Sequence, residues 1–378
     1  MPIFALLTRA RPALAVFAAM GILWGTFAAD LPDIKTMLGV DESRLGLLMF
    51  LTPIAAVLSM LIAPAAGVAF GRVALPVASV LMCAGFVLPG QMTSVWLFPV
   101  AMLAAGAGTG LTDVLMNARV ADLENRGPPM MNLCHAAYSF GYAGGAVCTG
   151  ILRDNGYGPS VVFALMASVA LVLALCSYES DGRIEGLSKP SGGGSGLGLV
   201  PLIGGGMVFI AFLTENAAEN WSALHIEKTL GGSPAHGAMG PAIMAITMGI
   251  SRLFGQGLAL RASAERLLLG GAVISALGAM TAALAISPIM AYAGFVVMGI
   301  GSSVIAPTAF SLVGQRADPK ARARAVARAT LIGYFGYFFG PPMFGFIAGH
   351  AGLRFAFVLA ALMLAFIPIL SRVLRRNS

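Results

Sequence analysis

Long apolar runs, separated by short polar stretches, dominate this chain. Each run has about the length of a membrane-crossing helix, for which roughly 20 apolar residues are needed. The runs are continuously apolar and do not alternate with polar residues, which argues against the strands of a β-barrel. The pattern predicts twelve transmembrane helices, at about 12–38, 45–70, 73–88, 95–121, 130–152, 159–178, 198–224, 234–254, 267–286, 289–313, 326–348 and 353–374.

Composition supports a membrane protein without a large soluble domain. Apolar residues make up 58% of the chain and charged residues 10%, with a mean hydropathy of +0.87, whereas soluble domains carry about 25% charged residues. A Gly/Ser-rich polar stretch after the sixth run is typical of a flexible linker. The sequence therefore predicts an all-α integral membrane fold with a six-helix bundle at 1–178, a cytoplasmic linker at 179–197 and a second six-helix bundle at 198–378.

The distribution of basic residues predicts the topology. With the N-terminus inside, 18 of the 23 Lys and Arg residues fall on the inner side and 5, namely Lys35, Arg44, Arg153, Lys228 and Arg354, on the outer side. This asymmetry fits the positive-inside rule, so both termini are expected in the cytoplasm of a bacterial-type inner membrane. The rule also accounts for the net charge of +7, so this charge does not indicate a protein that binds nucleic acid. The first run lacks a convincing cleavage site and is expected to remain as a helix.

The two halves of the sequence resemble each other. Residues 139–150 share Phe, Gly, Tyr, Gly and Gly with residues 334–345 at an offset of 195. Gly106 and Gly108 match Gly299 and Gly301 at an offset of 193, and Ile34, Leu38 and Gly39 match Ile226, Leu230 and Gly231 at an offset of 192. The near-constant offset indicates a six-plus-six duplication, as in secondary transporters that bind a solute between two bundles.

Asp113 is the most unusual residue of the apolar runs. A charged side chain at the centre of a membrane helix costs about 2.5–3.5 kcal/mol on insertion scales, so such an acid predicts a functional site. Asn117 lies four residues further on and should share its helix face. The second half has Ala306 and Phe310 at the matching positions, so this polar pair is expected in one half only.

The first run ends in a polar cluster with Asp30, Pro32 and Asp33. The two acids are three residues apart and should share a helix face, and Pro32 indicates a local distortion. Each acid is a candidate for a cavity site, although Asp33 with Lys35 could equally lie in water at the outer surface. Trp24 lies on the same helix.

The seventh run has a broad polar face. Glu215 with Glu219, and Asn216 with Asn220, form two adjacent i,i+4 pairs, which favours a helix that lines a water-filled cavity. Trp221 is interpreted as an anchor at the membrane surface, where Trp is enriched.

Other polar residues suggest less specific roles. His135 and Tyr138 open the fifth run and are candidates for proton relay or solute binding, although His135 could equally be a hydrogen-bonded residue at a helix end. The four cysteines lie in apolar runs without metal-site spacing and are interpreted as packing residues. The sequence contains no P-loop, HExxH or GxSxG motif. We therefore expect no enzyme activity, no metal and no cofactor, with an ion gradient as the energy source.

Two local patterns resemble the major facilitator superfamily, and within it the branch that includes fucose permease. Trp24 followed by Asp33 and Ile34 is similar to the Trp and embedded Asp of that branch, and Asp113 with Asn117 is similar to its fourth-helix acid and amide. The resemblance implies roles for the two acids in proton coupling and sugar recognition. It therefore ranks Asp33 above Asp30.

Two departures weaken a reading as a drug antiporter. The loop at 67–72 lacks the Asp of the superfamily motif, and a Gly-Pro pair occurs in the eleventh run, where Gly340 precedes Pro341, but not in the fifth. The acids of the seventh run also add negative charge that a binding site for a neutral sugar does not need.

The leading hypothesis is a monomeric, proton-coupled symporter that moves a small polar solute, with sugars as one option, through the lipid bilayer by alternating access. Two alternatives remain open. One is proton-coupled efflux of cationic or amphipathic compounds, and the other is a membrane receptor or scaffold that binds a ligand without moving it.

Overall fold

The computed structural model describes residues 3–125, 128, 130–180, 182–184, 198–259, 263–318 and 322–376. The predicted linker at 179–197 lies mostly outside these residues, as do Arg126, Lys189, Arg261 and Lys320 of the predicted inner set. All regular secondary structure of the described residues is helical. The helices are α1 (Ile3–Leu38), α2 (Glu42–Leu48), α3 (Leu51–Phe70), α4 (Ala74–Val87), α5 (Phe98–Asn125), α6 (Met131–Asp154), α7 (Pro159–Leu175), α8 (Val200–Leu224), α9 (Pro234–Ala259), α10 (Ala264–Ala283), α11 (Pro288–Arg316), α12 (Arg322–Ala351) and α13 (Leu353–Arg376).

Every predicted apolar run coincides with helix to within a few residues, with one difference. The second run forms two helices, α2 and α3, with a turn at Met49 and Phe50. Pro53 explains this break, because a proline ring clashes with the carbonyl four residues before it, here that of Met49. Nine segments of the described chain are apolar and long enough to cross a membrane, one of which spans Glu42–Gly90.

The helices form two compact units. The first comprises the described residues of Met1–Val40 and Leu48–Ser191, and the second those of Asp41–Leu47 and Gly192–Ser378. Within the second unit, the segment Asp41–Leu47 packs on α12, where Ser43 Oγ donates to the carbonyl of Gly345 at 3.4 Å.

The two units have the same helix pairing, which supports the duplication inferred from the repeats. In the first unit α1 packs on α6 and α7, and α5 packs on α3 and α4. In the second unit α8 packs on α12 and α13, and α11 packs on α9 and α10. The matched glycines Gly39 and Gly231 occupy equivalent places, because each follows the helical segment that opens its unit and has a positive φ, of 63° and 70°.

Candidate functional site

Asp113 and Asn117 lie on one face of α5, as their spacing predicts. Asn117 Nδ2 donates to Asp113 Oδ1 at 3.1 Å and to the Asp113 carbonyl at 2.9 Å. Both residues are partly buried. Among the described residues, no basic side chain forms an ion pair with Asp113. The polar partner of its carboxylate is the amide of Asn117.

Asp30 and Asp33 share one arginine, Arg153 of α6. The Arg153 guanidinium binds Asp33 through Nε to Oδ2 at 2.9 Å and Nη2 to Oδ1 at 2.8 Å. Its Nε also lies 3.2 Å from Asp30 Oδ1. The side chains of Arg153 and Asp30 are completely buried, whereas that of Asp33 is 37% exposed. Two carboxylates therefore share a single buried cation at this end of α1.

Local structure explains why this cluster forms. Pro32 lacks an N–H group and weakens the hydrogen bonding of the turn before it. Arg153 Nη1 donates to the carbonyl of Ala29 in that turn at 2.7 Å, so the arginine stabilises the backbone as well as both acids. Arg153 lies in the last turn of α6, where a positive charge also interacts favourably with the helix dipole.

The role of Arg153 does not follow from the sequence. Arg153 was predicted only as an outer basic residue, and Asp33 lies 120 positions away along the chain. The sequence does contain one indication that Arg153 belongs to the helix and not to a loop, since it directly follows an apolar run with no intervening loop residue. Burial excludes the outer surface for Asp30, because its side chain is completely covered within its unit.

The polar face of α8 meets an arginine of α9. Glu215 is buried, and its Oε1 lies 3.9 Å from Arg252 Nη2. Tyr337 of α12 hydrogen-bonds to the Glu215 side chain. Glu219, one turn further along α8, is partly buried and interacts electrostatically with both Glu215 and Arg252. Arg252 lies near the end of the apolar segment Pro234–Phe254, within the predicted helix at 234–254.

The amide of Asn216 on α8 faces α12. Asn216 and Asn220 are 8% and 7% exposed, and Asn216 Oδ1 lies so close to Gly340 that a side chain there would collide with it. The prediction that Trp221 anchors the membrane surface is wrong. Trp221 has no exposed surface, because close approach of α8 to Gly345 of α12 encloses its ring.

The remaining candidates of the first unit have aromatic neighbours. Trp24 packs edge-on against Phe27 and Phe86, with centroids 5.7 and 5.0 Å apart. His135 packs edge-on against Phe17 at 5.0 Å, and Tyr138 lies 6.0 Å from the ring of Tyr142. These contacts do not place the three residues beside the acids, so their roles in binding stay predictions.

This geometry defines the class of the protein as a multi-pass helical membrane protein with several buried acids. The sequence model of the Major Facilitator Superfamily matches residues 13–203 and 204–378. An uncharacterized MFS-type transporter of Yersinia pestis is 32% identical over 368 residues, which covers 96% of this chain and 94% of that protein. The chain therefore belongs to the major facilitator superfamily, and it is a membrane transporter of that superfamily.

Solved structures agree with this assignment at the level of the fold. The nucleoside transporter NupG has a TM-score of 0.76 at 13% identity, with 98% of this chain and 99% of that chain covered. The fucose:proton symporter FucP of E. coli has a TM-score of 0.59 at 19% identity, with coverage of 96% and 97%. The sequence model confirms the superfamily predicted from the two local motifs, and the likeness to FucP is a likeness of fold.

Proposed function

We propose that the protein is a proton-coupled symporter that moves a small polar solute by alternating access, with sugars and related polyhydroxylated compounds as the first candidates. The proton gradient supplies the energy, and no cofactor takes part. The transporter acts as a monomer in a bacterial-type inner membrane, with both termini in the cytoplasm.

Asp113 supports this proposal most directly. It is an acid on an apolar membrane helix whose recorded polar partner is an amide, Asn117, and not a cation. A carboxylate without a cation is costly in a membrane interior, and a proton removes that cost. A reversible change of charge at Asp113 can therefore link proton movement to the conformational cycle.

Asn117 offers a route from protonation to solute recognition. Its amide donates to Asp113, so a change in the charge of Asp113 alters the strength of that hydrogen bond. Solute hydroxyl groups could then compete for the same amide. Few polar groups in an otherwise apolar lining are typical of small-molecule sites.

Transport in proteoliposomes tests the proposal. A thermal-shift screen of aldoses, polyols and nucleosides on the purified protein selects a ligand, because a ligand stabilises the state that it binds. We expect an inward proton gradient to drive accumulation of that ligand, and Asp113→Asn to abolish accumulation while leaving counterflow exchange. Asp154→Asn, which removes an exposed acid of α6, is the control.

Two results would contradict the proposal. Full proton-driven accumulation by Asp113→Asn, with an unchanged dependence on pH, would exclude Asp113 as the coupling acid. Ligand binding without counterflow would instead indicate a receptor.

A further inference from the structure

The partly buried Arg252 differs from the buried Arg119 and Arg153 in that its guanidinium makes few contacts. The side chain is 28% exposed, and within the described part of the chain its one ion pair is with Glu215 at 3.9 Å. That distance is too long for a hydrogen bond. A guanidinium has five N–H donors, and none of those of Arg252 donates a hydrogen bond to another described side chain or carbonyl.

The comparison with Arg153 and Arg119 shows the difference. Arg153 donates to Asp33 and to the Ala29 carbonyl, at 2.7–2.9 Å. Arg119 donates to Glu179 and Asp122 at 2.8–3.0 Å. These two arginines bind acids of their own unit, as structural arginines do. Arg252 keeps its planar set of donors open, which is the geometry that binds a carboxylate through two hydrogen bonds.

The groups around Arg252 set the charge of the site. Glu215 and Glu219 face it from α8, and Tyr337 reaches Glu215 from α12. With both acids ionised the three charged groups sum to −1, and an anion is repelled. With both acids protonated the sum is +1, and an anion is attracted. Uptake of protons by the acids therefore favours binding of an anion at Arg252.

We infer that the transported solute carries a carboxylate, which Arg252 binds in place of Glu215. This inference rests on the proposed function and names its solute class as hydroxylated organic acids. Protons on Glu215 and Glu219 accompany the anion inward, and their loss on the other side restores the negative site and expels it. Asn216 and Asn220, on the neighbouring face of α8, are not needed for this selection by charge.

Matched ligands that differ in one group test the inference. Gluconate, sorbitol and glucamine share a carbon skeleton and end in a carboxylate, a hydroxyl and an amine. Lactate, 1,2-propanediol and 1-amino-2-propanol form a second set. We expect the purified transporter to be stabilised against heat by a carboxylate member only, more strongly at acidic than at alkaline pH.

Substitutions locate the effect. Arg252→Gln should weaken binding of the carboxylate at least about tenfold, because two charge-assisted hydrogen bonds are lost. Arg252→Lys should retain part of the affinity, since it keeps the charge but not the planar donors. Lys228→Gln removes an exposed cation of the same unit and should leave binding unchanged. Glu215→Gln should retain binding and reduce its dependence on pH, which keeps the test informative if Arg252→Gln fails to fold.

The inference is overturned if a neutral or amine member stabilises the protein, if neither carboxylate does, or if Arg252→Gln binds as wild type. Stabilisation by an amine would point to the efflux of cations. Different results would contradict the proposed function and this inference. A carboxylate that binds at Arg252 but is not accumulated under a proton gradient would contradict proton coupling and leave only its binding at Arg252 standing. Proton-driven uptake of a neutral sugar by Arg252→Gln would contradict this inference alone.

Discussion

Arg153 binds Asp33 through two hydrogen bonds, of 2.8 and 2.9 Å, while the same guanidinium lies 3.2 Å from the buried Asp30. One end of the guanidinium thus serves a partly exposed acid and a buried one. The partners come from α1 and α6, which pack closely because glycines face the backbone of the opposite helix, as Gly25 faces Tyr142. The cluster therefore depends on a tight helix interface as well as on charge.

Loss of Arg153 should strongly destabilise the first unit. Removing one partner of a buried ion pair leaves an uncompensated charge and costs about 3–5 kcal/mol. We expect Arg153→Gln to lower the midpoint of thermal unfolding in detergent, and Arg153→Lys to lower it less. Arg44→Gln, at an exposed arginine of the same predicted outer set, should change little. Equal effects of Arg153→Gln and Arg44→Gln would contradict the structural role of this arginine.

Adjacent glycines of α6 should respond in opposite ways to alanine. Gly145 faces the carbonyl of Ile22 on α1, and a methyl group there would collide with backbone, whereas Gly144 has open space. Gly145→Ala should lower the free energy of unfolding by about 1–3 kcal/mol through overpacking. Gly144→Ala should raise it by about 0.5–1 kcal/mol, because alanine favours helix. Thermal unfolding of the two variants measures the difference, and a loss of similar size in both would show that the α1–α6 contact is looser than described.

The matched glycines Gly39 and Gly231 should both be sensitive to substitution. Each has a positive φ, which costs a residue with a Cβ roughly 1–2 kcal/mol. Neither has a neighbour that a methyl group would touch, so the expected loss in Gly39→Ala and Gly231→Ala comes from the backbone alone. Asn tolerates positive φ better than Ala, and Gly39→Asn and Gly231→Asn should therefore unfold at higher temperature than the alanine variants. The reverse order would argue against a backbone origin.

A buried hydrogen bond joins α10 and α11 in the second unit. Ser275 Oγ and Ser302 Oγ are 2.7 Å apart, and both residues are buried. Either single alanine variant leaves one hydroxyl without this partner and should cost about 1–2 kcal/mol, as hydrogen bonds between membrane helices do in model peptides. The double variant should be nearly as stable as wild type, because no orphaned group is left. Additive losses in this double-mutant cycle would show that the two hydroxyls do not depend on each other.

Interactions within a single helix follow directly from the sequence. Asn117 reaches Asp113 because residues four apart share a face of any α-helix, so no tertiary information is needed. The same holds for the twelve apolar runs, since each must satisfy its backbone polar groups internally to cross a membrane. Even the break between α2 and α3 is encoded locally by Pro53, although hydropathy alone does not show it.

Partners from different helices required the tertiary structure. The sequence places Arg153 far from Asp33, and Arg252 far from Glu215. Counting the basic residues on each side of the membrane reveals neither pair. Trp221 illustrates the same limit, since an aromatic residue near a helix end fits a membrane surface or a packed interior equally well until the neighbouring helix is placed. The sequence by itself determined the helices, their duplication and the faces that carry acids, because these depend on short-range periodicity and hydrophobicity. Only the tertiary structure decided which acid has a cation beside it and which arginine keeps its donors open. The reason is that compensation of a charge depends on which side chains of other helices pack against it.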